Sequence, residues 1–238
     1  MNLERFEIVR NPGKDAYIDL CHEVNKYENW ICGKEDYECW EKSFEDNFEF
    51  LIVYEKGTQN VVASAMLITV QSHGKSTPEF SGFGFFFVTP KHRGTGVGKA
   101  LSEKLLKTDK FVNTNGFLIS APEMSEKYAA RHGFDKIPEW HHQIYAIKTT
   151  DITELTVDDT ISDTIEIRIP LEEDWEKIFE YNATIASGVH FDVFLKNWLT
   201  AKGTNTVVIF PKLQRRSFGF SSLVPVLAQY SDMFQIFR

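Results

Sequence analysis

Val88-Thr89-Pro90-Lys91-His92-Arg93-Gly94-Thr95-Gly96-Val97-Gly98-Lys99-Ala100-Leu101 is the stretch on which the fold turns. Ahead of it, Gly82-Phe83-Gly84-Phe85-Phe86-Phe87-Val88 is continuous and aromatic-rich, as a buried central strand would be. Behind it, Ala100, Leu101, Leu105 and Leu106 mark one face of an amphipathic helix whose other side carries Lys and Glu. Three glycines between a strand and a helix let the backbone approach an anion closely. The helix N-terminus then points free amides and its positive dipole at that anion.

Three glycine-loop patterns compete for this turn. The nucleoside-triphosphate loop needs a Gly five residues before its final Gly-Lys and a Ser or Thr after it, and those places hold Arg93 and Ala100. The dinucleotide fingerprint needs a third glycine where Lys99 stands. Arg-x-x-Gly-x-Gly, read as Arg93, Gly96 and Gly98, fits in full.

Working outward, residues 6–10 read as a first strand, broken at Pro12-Gly13, with a helix starting near Asp15 as N-cap. A second helix is expected over 36–48, where Tyr37, Trp40 and Phe44 recur at helical spacing. Residues 50–54 and 61–70, joined by Lys56-Gly57-Thr58-Gln59-Asn60, form a hairpin. After the glycine loop and its helix, 117–121 reads as a strand, 123–132 as a helix stopped by Gly133, and 142–147 as a closing strand. The order is β-α-α-β-β-β-α-β-α-β, an α/β layer architecture.

This order, with the loop at Arg93, resembles the GNAT superfamily of N-acetyltransferases, whose acetyl-CoA signature is Arg-Gly-x-Gly-x-Gly after a Val-x-Pro strand end. Tyr128 to Phe134 is similar to the later helix of that family, which ends in Gly-Phe. The resemblance covers residues from about 5 to 148 and implies a mixed central sheet with flanking helices. It implies acetyl-CoA as cofactor, its pyrophosphate held by Arg93, Gly94, Thr95, Gly96, Val97, Gly98 and Lys99. Phe87 and Val88 would pair with the pantetheine amides like an added strand.

The catalytic residues are less plainly written. Relatives often place a Tyr acid four residues before the Gly of Gly-Phe, which is Ala129 here; Tyr128, one residue earlier, is the candidate acid. One helical residue is about 100° of rotation, so a core-facing Tyr128 is the competing reading. The strand position that carries Glu in some relatives falls near Gly82. Glu79, just outside the strand, is the candidate base, with a solvated loop carboxylate as its alternative. His73, His92 and His132 flank the cleft, and a surface role is the plainer expectation for each. No metal site is expected: His141 and His142 point to opposite faces of a strand, and Cys21, Cys32 and Cys39 match no zinc spacing. The thiols read as reduced and structural, with one reactive thiol as the alternative.

Residues 149–164, rich in Thr and Asp, read as a linker, and the chain from residue 165 onward repeats its own beginning. Glu166-Ile167 and Asp174 answer Glu7-Ile8 and Asp15 at the same separation; 207–210 answers 51–54, and 218–223 answers 62–67. No Arg-x-x-Gly-x-Gly occurs after residue 165, and the segment 225–232 resembles part of the C-terminal module of tandem acetyltransferases. The expected domains are therefore a GNAT domain over 1–148, a linker over 149–164, and a partial GNAT-like α/β module over 165–238 without a cofactor of its own. That module would cover the acceptor cleft or mediate a homodimer.

With 238 residues and a net charge of −8, the chain is expected to bind neither nucleic acid nor a membrane surface, since phosphate partners need clustered Lys and Arg. The acidic N-terminus lacks a leader pattern and no run approaches the ~20 apolar residues of a span, so cytosol or nucleus is the expected compartment. Eight acids between Glu28 and Glu49 suggest an acceptor wall for a cationic amine, on a small molecule or a protein; a solvated helix face is the alternative. The functional expectation is an acetyl-CoA-dependent N-acetyltransferase, and its rival an acetyl-CoA-binding regulatory protein that has lost turnover.

Overall fold

The computed structural model describes residues 4–30, 32–71, 78–136, 165–186, 189, 191–211 and 226–230. The expected strand at 142–147, the linker at 149–164, the 218–223 strand, His73, His141 and His142 lie outside the described residues.

Strand β1 (Phe6–Arg10) leads into α1 (Lys14–Glu28) and α2 (Asp36–Phe44), then β2 (Phe48–Glu55), β3 (Val61–Gln71) and β4 (Pro78–Val88). After the glycine loop come α3 (Val97–Leu106), a short α4 (Asp109–Val112) with no sequence signal, β5 (Asn115–Phe117) and α5 (Pro122–His132). Five strands form one sheet in the order β1-β2-β3-β4-β5, antiparallel throughout except for β4 with β5. This is the mixed α/β sheet expected.

Several boundaries differ from the sequence reading for local reasons. Gly13 at φ 90, not Asp15, caps α1, and its N–H donates to the Tyr37 hydroxyl at 3.2 Å. The second helix stops at Phe44 because Glu45 turns to φ 45, and a 3₁₀ turn over Glu45–Asn47 delivers the chain to β2. Strand β4 begins at Pro78 instead of residue 82, so Glu79 belongs to the strand and is not in a loop. The next strand is Asn115–Phe117, not 117–121. The helix over 123–132 does stop at Gly133, which takes φ 78 and whose N–H reaches the Ala129 carbonyl at 3.1 Å.

The sheet is covered on both faces, which is why the middle strand β3 is buried from Val61 to Val70. On one face α1 and α2 lay Tyr17, Leu20, Val24, Tyr37 and Trp40 over Phe50, Ile52, Met66 and Ile68. On the other, Val97, Leu101, Leu105 and Leu106 of α3 cover Leu51, Val53, Ala63, Ala65, Leu67 and Phe83.

One acid sits inside the first core. Asp36 is 2% exposed; its Oδ2 accepts from the Tyr17 hydroxyl at 3.2 Å and the Gly33 N–H at 2.9 Å, while Oδ1 has no partner. Burial raises its pKa from 3.8 to about 7. The folded chain therefore holds this proton more tightly than the unfolded chain. The stabilisation is full below pH ~4 and is lost as pH rises through ~7, a swing on the order of 4 kcal/mol. Asp36→Asn should remove that swing. Urea denaturation of both proteins at pH 4 and pH 8 measures it, and identical pH dependence would refute the assignment.

A second, three-stranded antiparallel sheet has the order β6 (Ile165–Arg168), β7 (Asn205–Pro211), β8 (Val226–Tyr230). Helices α6 (Trp175–Ile185) and α7 (Asp192–Leu199) lie between β6 and β7 in the chain. The run β6-α6-α7-β7-β8 has the order and pairing of β1-α1-α2-β2-β3. The partner of β7 is the segment 226–230, later than the 218–223 expected. Trp175, Ile178, Leu199, Val208 and Phe210 form its core. The Arg168 guanidinium clasps the buried Asp174 carboxylate, which also accepts the Leu171 N–H at 2.7 Å.

The two halves touch through helices. Phe194 of α7 stacks on Phe44 of α2, with ring centroids 5.3 Å apart at 24°, and the Asn197 amide donates to Ser43 Oγ at 3.0 Å. Phe191, Trp198 and Val189 extend this contact into the α1–α2 core.

Candidate acyl-carrier site

Strand β4 is bent where the site lies. Its register with β3 runs Met66↔Gly84 and then Ser64↔Phe87, so Phe85 and Phe86 oppose the single residue Ala65. Phe85 takes φ 48, a conformation that is uncommon for a bulky side chain and costs of order 1–3 kcal/mol. The buried Ser64 hydroxyl pins this bulge by donating to the Phe85 carbonyl at 2.8 Å. Past the bulge Phe87 faces the α1–α2 core, while Phe86 and Val88 face α3.

The neighbouring strand leaves β4 early. β5 pairs only with Phe80, Ser81 and Gly82, so on that side the β4 edge from Phe83 to Val88 has no strand partner among the described residues. A Cβ at Gly82 would meet the Phe117 ring at 2.8 Å and Ile68 at 3.0 Å. No glutamate fits there. Glu79 is half-buried at the start of β4, four residues before Phe83, whose ring packs on Tyr128.

The glycine loop is anchored at its base. The Thr89 N–H and hydroxyl both reach the Val62 carbonyl, at 2.9 and 3.1 Å. His92 is buried, not on the surface: its ring nitrogens lie 2.8 Å from Thr89 Oγ1 and 3.1 Å from Glu55 Oε1. Glu55 also takes Lys91 at 2.9 Å, and the Lys91 ammonium with the Asn60 amide holds its carboxyl at about 2. The Arg93 guanidinium turns back, donating to the Val88 carbonyl at 3.0 Å and pairing with Glu28 at the end of α1.

From there the backbone is shaped for close approach. Gly94 and Gly96 take φ 76 and 88, Thr95 Oγ1 donates to the His92 carbonyl at 2.7 Å, and Gly96 caps α3 with no side chain bonded to the first turn. The N–H groups of Val97, Gly98 and Lys99 therefore open the helix without a side-chain cap, as an anion would need. A Cβ at Gly98 would meet Val88 Cγ2 at 2.9 Å and the Phe86 ring at 3.2 Å, so that glycine sets how tightly α3 seats on β4.

Between α3 and α5 runs a cleft that exposes Lys99, Lys127 and Arg131, with Ser102, Tyr128 and His132 along it. Lys127 and Arg131 were missed by sequence reading; their i, i+4 spacing on α5 was the available signal. His132 stands 3.4 Å from Ser102 Oγ, and burial lowers its pKa. The Tyr128 ring packs against Phe83, Phe86 and Phe134 at 6.2–6.4 Å, and burial pushes its phenol up to about 12. Ala129 occupies the next helical position.

The acidic stretch is largely spent within the fold. Glu28 pairs with Arg93, Glu35 and Glu38 with Lys14, and Glu49 with Arg10, while Asp36 is buried. No group of three or more metal-ligating residues occurs among the described residues, and no described helix is long and apolar enough to cross a membrane.

A bulged fourth strand parted from the fifth, with a glycine loop opening a helix at its end, defines the acetyltransferase fold of the GNAT type. Residues 3–185 match the family described as protein of unknown function DUF1248, and the chain belongs to that family. A putative acetyltransferase from Pyrococcus horikoshii shares the fold with a TM-score of 0.53 at 12% identity, over 89% of this chain and 69% of that one. A predicted acetyltransferase from Clostridium acetobutylicum, in a structure with acetyl-CoA, aligns at TM-score 0.45 and 14% identity, over 58% of this chain and 96% of that one. Glucosamine-6-phosphate N-acetyltransferase from Arabidopsis thaliana aligns at 0.44 and 12%, over 60% and 99%. No curated protein matches the sequence.

Proposed function

We propose that the chain is an acetyl-CoA-dependent N-acetyltransferase acting on a small-molecule or protein amine. The observation that carries this reading is the first turn of α3, uncapped by any side chain, entered through two glycines at positive φ and seated on β4 by a third. Acetyl-CoA, when bound, supplies an activated acetyl thioester. The amides of Gly96, Val97, Gly98 and Lys99 would hold its pyrophosphate, with Arg93, Gly94 and Thr95 shaping the approach. Lys99, Lys127 and Arg131 bring positive charge to the adjoining cleft. The free edge at Phe87 and Val88 offers backbone groups to an extended amide chain, as an added strand would use them.

Tyr128 is the phenol in that cleft and the proposed acid for the departing thiolate. Its raised pKa keeps the proton on the hydroxyl at neutral pH. Tyr128→Phe should lower kcat by about 10²–10⁴-fold with KM little changed. An unchanged kcat, with chemistry limiting, would assign the ring to packing alone.

The rival reading is an acetyl-CoA-binding regulatory protein. It is favoured by Ala129, which stands where relatives place the acid, and by the Phe117 ring over Gly82. Titrating acetyl-CoA calorimetrically and screening amines for thiol release separates the two: binding with no release from any amine supports the rival, and no binding refutes both.

In this reading residues 1–148 are the acetyltransferase domain, 149–164 a linker, and 165–238 a partial duplicate whose strand order repeats that of the first half. The pairing of Glu28, Glu35, Glu38 and Glu49 with cations weakens the case for a cationic acceptor, which stays a subsidiary proposal.

A further inference from the structure

The turn that follows β4 makes contact with three successive strands before it enters α3. Thr89 holds the Val62 carbonyl of β3 with its N–H and its hydroxyl, at 2.9 and 3.1 Å. His92 then reaches β2 and β1. Its Nε2 lies 3.1 Å from Glu55 Oε1, and its ring stands edge-on to Phe6 with centroids 5.7 Å apart. Phe6 and Glu55 are cross-strand partners, so one rung of the sheet receives the ring. Its other nitrogen, Nδ1, lies 2.8 Å from the Thr89 hydroxyl. Thr89 and His92 are both buried.

Glu55 is itself fixed, taking the Lys91 ammonium at 2.9 Å and the Asn60 amide at 3.2 Å. An ionised carboxylate only accepts, so Nε2 carries the hydrogen between ring and acid. The carbonyls of the turn are also taken up within it. The Val88 carbonyl accepts from the Arg93 guanidinium at 3.0 Å, that of Thr89 from the His92 N–H at 2.9 Å, and that of Pro90 from the Arg93 N–H at 3.2 Å. The His92 carbonyl accepts from the Thr95 hydroxyl at 2.7 Å. These are the groups that would repel an anion, and the first amides of α3 follow directly after them.

We propose that His92, held between Glu55 and Thr89, is a positioning residue that presets the glycine loop for the pyrophosphate of acetyl-CoA. This role rests on the loop's being the acetyl-CoA site proposed above. His92 acts through the backbone: its ring ties the turn to β2, 37 positions away, and its carbonyl holds Thr95 at the entry to α3. Without the ring bonds, the segment from Pro90 to Thr95 loses its hold on the end of β2 and must be ordered when the anion binds.

His92→Phe tests this in the whole chain. A phenyl ring can keep the packing on Phe6, while Thr89 keeps Val62 and Glu55 keeps Lys91 and Asn60, so no buried polar group is orphaned. Calorimetric titration should show the Kd for acetyl-CoA weakened by about tenfold, the size of the two hydrogen bonds lost, at unchanged stoichiometry. In turnover the KM for acetyl-CoA should rise by a similar factor with kcat little changed, since the loop binds ground state and transition state alike. His92→Gln, whose amide can donate to Glu55 in place of Nε2–H, should recover most of the affinity. A folded His92→Phe protein with wild-type Kd would overturn the proposal. So would a lowered stoichiometry or kcat at wild-type Kd, the mark of a merely structural role, and so would His92→Gln binding no better than His92→Phe. Wild-type protein that binds no acetyl-CoA would overturn this role together with the proposed function.

Discussion

Replacing Gly96 and Gly98 together by valine is expected to abolish acetyl-CoA binding, weakening Kd by at least ~100-fold, or ~2.7 kcal/mol. The two glycines act differently. Gly96 stands at φ 88, where a β-branched residue is strained, so valine there should turn the first amides of α3 away from the anion. Gly98 has no room: its Cβ would press on Val88 and Phe86, lifting α3 from β4 and costing about 1–3 kcal/mol of stability. The single Gly96→Val variant therefore isolates binding from packing. Calorimetric titration beside a thermal melt reads both. A folded Gly96→Val protein with wild-type affinity would remove the loop from the site. The stoichiometry should be one cofactor per chain, since no second Arg-x-x-Gly-x-Gly exists after residue 165.

Phe194→Ala should destabilise the whole chain by about 3–5 kcal/mol. The Phe194 ring is 8% exposed and fills the seam between α7 and α2, against Phe44, Phe191 and Trp198. Its loss opens a cavity between the halves and leaves Phe44 facing it. Cutting the chain after residue 150 would expose the same apolar surface and should lower solubility. Chemical denaturation of Phe194→Ala measures the effect. A loss under about 1 kcal/mol would show that α7 merely rests on α2.

Much of the fold was legible because its signals are local. A glycine triplet between an apolar strand and an amphipathic helix, the Gly133 stop and the hairpin at Gly57 all depend on backbone angles and spacings of a few residues. Where local signals conflict, reading fails by a few positions. The second helix looked longer because Phe44 and Phe48 continue its spacing, yet Glu45 at φ 45 ends it and Phe48 opens β2. The Tyr128 ambiguity is of the same kind, since one residue of helix decides whether a ring packs or projects.

By itself the sequence determined the loop from Arg93 to Gly98, the strand and helix that flank it, and the repeat of element order in the second half. Tertiary structure alone decided what surrounds them. It laid Phe117 over Gly82, drew Glu79 into β4, and buried His92 between Thr89 and Glu55. It also gathered Lys99 with Lys127 and Arg131, and stacked Phe194 on Phe44. Glu79 aside, each of these arrangements includes a contact between residues tens of positions apart or more. A local pattern fixes backbone conformation, whereas contacts across such separations follow from which faces pack together.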